Sequence, residues 1–143
     1  MSETTPTPTV VTASVRIAAP PGVVFPYFTS PVLITQWIAE RADLDAQPGG
    51  VFSIDVRGNP ARGTFIEVDP PHRVVFTWGI EGDAGLPPGS SFVEVVLEGD
   101  VEDTIVTLTH HGLPEAYRAS HQEGWTEFLG VLAKVVPSSP LQG

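Results

Sequence analysis

The last third of the chain limits what the rest can be. From Pro114 to Val136, Tyr117, His121, Trp125, Phe128, Leu129 and Leu132 recur at spacings of three and four, which puts them on one helical face. Glu115 sits in the first turn and Lys134 in the last, both matching the helix dipole, and Pro137 stops the run. A helix of about twenty residues is ~30 Å long, roughly the width of a small domain. Such a helix needs a broad apolar partner, and the preceding text is written mostly in short strands. The pattern predicts an α+β domain in which a curved antiparallel sheet of six or seven strands wraps the long C-terminal helix.

The order of the other elements sharpens this expectation. Val10 to Ile17 reads as a first strand, rich in β-branched residues. Pro20-Pro21-Gly22 ends it, and a short helix is expected from Pro21 to about Phe28, shortened or bent by Pro26. Ser30-Pro31 opens a second short helix through Ile38, with serine as N-cap and proline in the first helical position. Strands are then expected at Val51–Val56, Gly63–Val68, Arg73–Trp78, Ser91–Glu98 and Thr104–His110. The turns between them include Gly58-Asn59-Pro60, Asp69-Pro70-Pro71-His72 and the long Gly/Pro-rich segment Gly79 to Gly89. Residues 1–9 and 137–143 read as tails around one domain spanning 10–136.

Composition excludes several functions. The chain has 143 residues, 17 acidic and 7 basic, for a formal net charge of −10. That field disfavours nucleic acid and anionic membrane surfaces as partners. No run approaches the ~20 apolar residues of a membrane span. The N-terminal MSETTPTPT lacks the regions of a signal peptide, so a cytoplasmic location is expected. Cysteine is absent, which removes disulfides, thiolate nucleophiles and Cys-ligated metals. There is no HxH or HxxxH spacing, no GxSxG, no GxGxxG and no Walker sequence. No metal and no cofactor are expected.

The segments TSPVLITQWI, PGGVFSIDV, GTFIEVDPPHRVVFTW, DTIVTLTHHGL and EGWTEFL resemble the family named after the C-terminal domain of Aha1, the activator of Hsp90 ATPase. The resemblance covers about Val10 to Val136, through Trp37, Gly49-Gly50, Asp69-Pro70-Pro71, Phe76-x-Trp78, Thr109-His110-x-Gly112 and Gly124-Trp125. It implies the helix-grip fold of the START/Bet v 1-like (SRPBCC) superfamily, which hosts ligand carriers, cyclases, hydrolases and regulators. Hsp90 itself is not the expected partner. The co-chaperone carries an additional N-terminal domain with no counterpart before Val10, and this acidic chain shows no basic docking patch.

A sheet bent around a single helix leaves space that the helix alone does not fill. Alternation nominates the lining: Phe52, Ile54 and Val56; Phe76 and Trp78; Val106, Leu108 and His110, with Phe65 added. Trp37 is added from the short helices, and Tyr117, His121, Trp125, Phe128 and Leu132 from the long one. The expected function is to hold a small hydrophobic or amphipathic molecule there, as carrier or sensor, by a monomer or homodimer. The alternatives are a cyclase-, aromatase- or hydrolase-like enzyme using Glu67, His110 or His121 as acid or base, and a stress-related Hsp90-type partner. Glu67 serves only if it shares the inward face of Phe65; with Ile66 and Val68 inward it is solvated. Gly124, inside the long helix, is read as a point of close approach to a neighbouring element.

Overall fold

A computed structural model describes residues 10–137 and places seven strands in one antiparallel sheet. The strands are β1 (Val10–Ile17), β2 (Arg41–Leu44), β3 (Val51–Val56), β4 (Asn59–Asp69), β5 (Arg73–Trp78), β6 (Ser91–Gly99) and β7 (Thr104–His111). Their order in space is β1-β7-β6-β5-β4-β3-β2, so β2 to β7 form a continuous meander and β1 joins beside β7. Helices α1 (Pro21–Val24) and α2 (Pro31–Ile34) follow β1, and α3 (Glu115–Val135) closes the chain and packs along β1. The expected tails over 1–9 and 137–143 lie outside the described residues, apart from Pro137.

The short helices are shorter than expected, for local reasons. Pro26 has no N–H to continue the ladder of α1, and Phe25–Phe28 tightens into a 3₁₀ turn. In α2, Pro31 occupies the first turn and the Ser30 hydroxyl accepts from the Leu33 amide at 3.2 Å, yet the helix stops at Ile34 rather than Ile38. The indole N–H of Trp37 donates to the Tyr27 carbonyl at 2.8 Å, and Trp37 meets Phe28 edge-on at 5.1 Å. The pair of short helices is thereby clamped as one lid over the sheet.

Three strand features depart from the sequence pattern. First, β2 has no β-branched residue and is missing from the expected set. It is an edge strand whose charged Arg41 and Asp43 discourage pairing with another chain. Second, β4 begins at Asn59 rather than Gly63. The turn is Arg57-Gly58, both with positive φ (52° and 82°), which is the two-residue hairpin geometry that follows sheet twist. Pro60 is tolerated because its nitrogen lies on the edge away from β3. Third, β4 bulges between Phe65 and Glu67, so Ile66 stands half-exposed and the alternation shifts by one.

A packed core lies on the concave side. Phe52 and Phe76 stack at 3.9 Å and 10°, and Phe65 meets Phe52 edge-on at 5.5 Å. Val93, Val95, Leu97, Val106 and Leu108 are buried on the neighbouring strands, and Trp125, Leu129 and Leu132 close the layer from α3.

Candidate functional site

Helix α3 touches the sheet on its β1 flank. On its other flank, an open-mouthed cavity of about 310 Å³ separates it from the β3–β4 hairpin and the segment after β5. Trp78, Trp125, Phe128 and Tyr117 supply aromatic wall, and Ile38, Val56 and Ile80 supply aliphatic wall. Arg57, Asn59, Asp83, Ser120 and His121 bring polar groups, and Gly124 leaves the helix bare at the cavity.

The expected lining divides in three. Val56, Trp78, Tyr117, His121, Trp125 and Phe128 line the cavity. Trp37, Phe52, Ile54, Phe76 and Leu108 instead surround a residual void of about 10 Å³ deeper in the core, reached by Trp125 from the other side. Phe65, Val106 and Leu132 are buried in packed core and line neither space. The reason is the Phe52–Phe76–Phe65 cluster, which, with Phe28 and Trp37 from the short helices, fills the deep end of the hollow.

The two histidines stand close, with ring centroids 5.3 Å apart, but they are held differently. His110 is fully buried on β7. The Trp125 indole N–H donates to His110 Nδ1 at 3.0 Å. An indole nitrogen can only donate, so Nδ1 carries no proton and Nε2 does. Nε2–H then donates to the Ser91 hydroxyl at 2.9 Å, and Ser91 donates to the Trp78 carbonyl at 2.8 Å. This chain ties α3 to β7, β6 and β5 with a neutral imidazole whose nitrogens are both used. Burial, with smaller repulsion from His121 and His111, pushes the His110 pKa down to about 3. Neither ring nitrogen of His110 is free to meet a group in the cavity.

His121 lies on α3 with Nδ1 2.9 Å from the Tyr117 carbonyl. A carbonyl can only accept, so Nδ1 carries the proton, and Nε2 of the neutral ring has no hydrogen bond among the described residues. Burial holds the His121 pKa below its ordinary value, against the opposing effect of that carbonyl. Glu67 is nowhere near. The bulge turns it outward, opposite Val75, where Arg73 Nε donates to it at 3.0 Å and Arg73 also pairs with Glu94. The inward alternative for Glu67 is corrected by that outward register.

Three cavity features were not anticipated. The Tyr117 hydroxyl donates to the Asp83 carboxylate at 2.8 Å and 2.9 Å, and the Gly85 amide donates to Asp83 at 2.9 Å. These bonds, the tyrosine's above all, hold the Asp83 pKa below the usual carboxylate range. A Cβ at position 85 would sit 2.5 Å from the Tyr117 hydroxyl, so any larger residue there would displace that hydroxyl. Arg57 reaches from the hairpin to α3. Its guanidinium lies over the Phe128 ring at 4.6 Å from the centroid, and Nη2 pairs with Glu127 at 2.9 Å. Gly124 is the third, and it reverses the expected close approach: nothing lies within 4 Å of where its Cβ would be. The buried indole N–H of Trp78, in the same wall, has no partner among the described residues. No group of three His, Asp or Glu side chains converges on a metal-sized space among the described residues. No helix among them is long and apolar enough to cross a membrane.

A curved antiparallel meander around a C-terminal helix, with a cavity beside that helix, defines the helix-grip class. The chain belongs to the family of activator of Hsp90 ATPase homolog 1-like proteins, whose model matches residues 18–137. An AHSA1-like protein from Rhizobium etli, solved in solution, is 41% identical, with a TM-score of 0.71, over 92% of this chain and 84% of that one. DynU16, a protein in the dynemicin biosynthetic locus, is 25% identical, with a TM-score of 0.77, over 90% of this chain; this chain spans 47% of DynU16. An HSP90 activator from Plasmodium falciparum is 25% identical, with a TM-score of 0.71, over 90% of this chain and 96% of that one. Among curated proteins none matches.

Proposed function

We propose that this protein binds a small hydrophobic or amphipathic molecule in the cavity between α3, the β3–β4 hairpin and the segment after β5. The cavity beside Trp125 carries the reading: about 310 Å³, walled by two tryptophans, a tyrosine and a phenylalanine, and open to solvent. Small-molecule sites have this form, an apolar concavity of a few hundred Å³ with a few polar groups that set orientation. Burial of apolar ligand surface there yields about 25 cal/mol per Å² before ordering costs. The bare Nε2 of His121 adds an acceptor to the polar groups of that wall.

An acid–base enzyme is the second reading, and it rests on His121 alone. His110 is committed to structure and Glu67 faces away, so of the three candidates only His121 keeps an uncommitted titratable nitrogen at the cavity. The Hsp90-type partner reading draws on the family description and the Plasmodium relative, with no feature of the cavity behind it.

The cavity can be tested by filling it. A leucine at position 124 would project into open space from a helix that gains propensity by the change. Binding of N-phenyl-1-naphthylamine, a neutral dye that fluoresces when buried, is expected in the wild type and reduced at least about tenfold in Gly124→Leu, with thermal stability kept. Equal binding by both proteins would place the dye elsewhere and remove the cavity from consideration.

A further inference from the structure

We propose that the cavity selects ligands bearing one anionic oxo-acid head, a carboxylate or sulfonate, on an aromatic or otherwise apolar body, and that Arg57 reads the head. This rests on the binding function above and adds the ligand class.

Arg57 is the one arginine or lysine among the described residues of the cavity wall. Elsewhere, Arg16 pairs with Asp103, Arg62 with Asp55, and Arg73 with Glu67 and Glu94. Arg57 also occupies a backbone position that arginine disfavours, at φ 52° in a turn where asparagine or glycine is the relaxed choice. Backbone of this kind persists where its surroundings hold it, and such positions concentrate at ligand-binding places. Here the turn delivers a guanidinium to the far wall of the cavity.

The guanidinium is held but not used up. Phe128 supports one face of it, and a single nitrogen, Nη2, pairs with Glu127. Both partners of that pair are more than half exposed (55% and 59%), and exposed pairs contribute little and exchange readily. Arginine offers five donors in a rigid fork that matches two oxygens of an oxo-acid. A ligand head entering the mouth therefore replaces Glu127 with a better-matched, less solvated anion.

The opposite polar group sets the direction. Asp83 keeps its negative charge, with oxygens already occupied by Tyr117 and Gly85. An anionic head is repelled from Asp83 and drawn to Arg57, which lays the apolar body along Trp78, Trp125 and Phe128. The chain's formal charge of −10 works against casual anion binding elsewhere, and screening over about 8 Å at physiological salt leaves the local cation to decide.

A matched pair of dyes separates this idea from the one it rests on. 8-Anilinonaphthalene-1-sulfonate and N-phenyl-1-naphthylamine share a skeleton and differ by the sulfonate. The readout is the ratio of anionic to neutral affinity, by fluorescence titration, in the wild type, Arg57→Gln, Arg57→Lys and Glu127→Gln, each checked for folding by circular dichroism. The ratio is expected to fall about tenfold in Arg57→Gln and less in Arg57→Lys. In Glu127→Gln, which removes the competing carboxylate, it is expected to rise about threefold. An unchanged ratio in all variants overturns the role of Arg57 and leaves the cavity standing. A fall in both Arg57→Gln and Glu127→Gln means the pair acts as a strut, and also overturns it. Failure of both dyes to bind the wild type overturns this inference together with the proposed function.

Discussion

The two halves of α3 carry the same periodic pattern and meet different surroundings. In the C-terminal half, Leu129 and Leu132 are at most 1% exposed and belong to the packed core. In the N-terminal half, Tyr117, His121 and Gly124 stand over open space, with Trp125 at the boundary between cavity and core. Amphipathicity states which side of a helix turns inward. It does not state whether the facing sheet comes close enough to fill the gap. Here β1 does, and the β3–β4 hairpin does not; the crossing from that hairpin is made by Arg57 to Glu127 and Phe128.

The sharpest way to break this comparison is to truncate one side chain that packs in the core and one that borders the cavity. Leu132→Ala leaves a void in close-packed core and is expected to cost about 3 kcal/mol. Phe128→Ala, whose ring already borders the cavity, is expected to cost less than half as much, about 1 kcal/mol, because few packed contacts disappear. Urea unfolding of both variants checks this. Equal costs would mean that the cavity closes in solution and that α3 is packed alike on both sides.

Much of the fold was legible because it depends on periodicity. β1, β3 and β5 run between the residues where alternation and turn signals place them, and α3 begins one residue after Pro114. What periodicity cannot encode is a break in its own period. The bulge at Phe65–Glu67 leaves no mark in the text, and it alone decides that Glu67 meets Arg73 and not the hollow. The Arg57-Gly58 turn was hidden for a related reason: Gly58-Asn59-Pro60 carries the stronger turn signal, and a positive φ at arginine runs against preference. The cavity was half legible. Its helical side follows from the i, i+4 stripe through Tyr117, His121, Trp125 and Phe128. Its far side adds to the strand residues Val56 and Trp78 the residues Arg57, Asn59, Ile80 and Asp83, in or beside turns and loops, whose directions no repeat assigns. The Asp83-x-Gly85 spacing, which lets a carboxylate cap its own loop, was the available local signal for one of them.

The histidine pair sharpens the comparison at the boundary between the halves. Folded His110 titrates near 3, whereas in the unfolded chain it titrates near 6.5. Between those values the unfolded state holds the extra proton, so stability is complete above about pH 6.5 and declines as pH falls. The expected slope from His110 is about 1.4 kcal/mol per pH unit in that window. His121, also held low by burial, adds in the same direction. His110→Gln keeps one acceptor and one donor for Trp125 and Ser91 but cannot titrate. Urea unfolding at pH 7, 6 and 5 should show the stability gap between the wild type and His110→Gln narrowing as pH falls. A gap that stays constant with pH would mean that His110 is protonated in the fold, with Trp125 turned away from it.

The smallest expected effect compares two glycines on the same helix. Gly124 and Gly130 both have open space where a Cβ would sit, with nothing within 4 Å. Alanine at either place removes backbone freedom from the unfolded chain and adds helix propensity, worth about 0.5–1 kcal/mol, so both variants should melt a few degrees higher. Enlarging the side chain then separates the halves, because position 124 lines the cavity and position 130 does not. Gly130→Leu should bind N-phenyl-1-naphthylamine as the wild type does, while Gly124→Leu should not. If Gly124→Ala destabilises while Gly130→Ala stabilises, then α3 sits closer to the hairpin than 4 Å of clearance allows. The unfilled flank of the helix would then be lost as a distinct region.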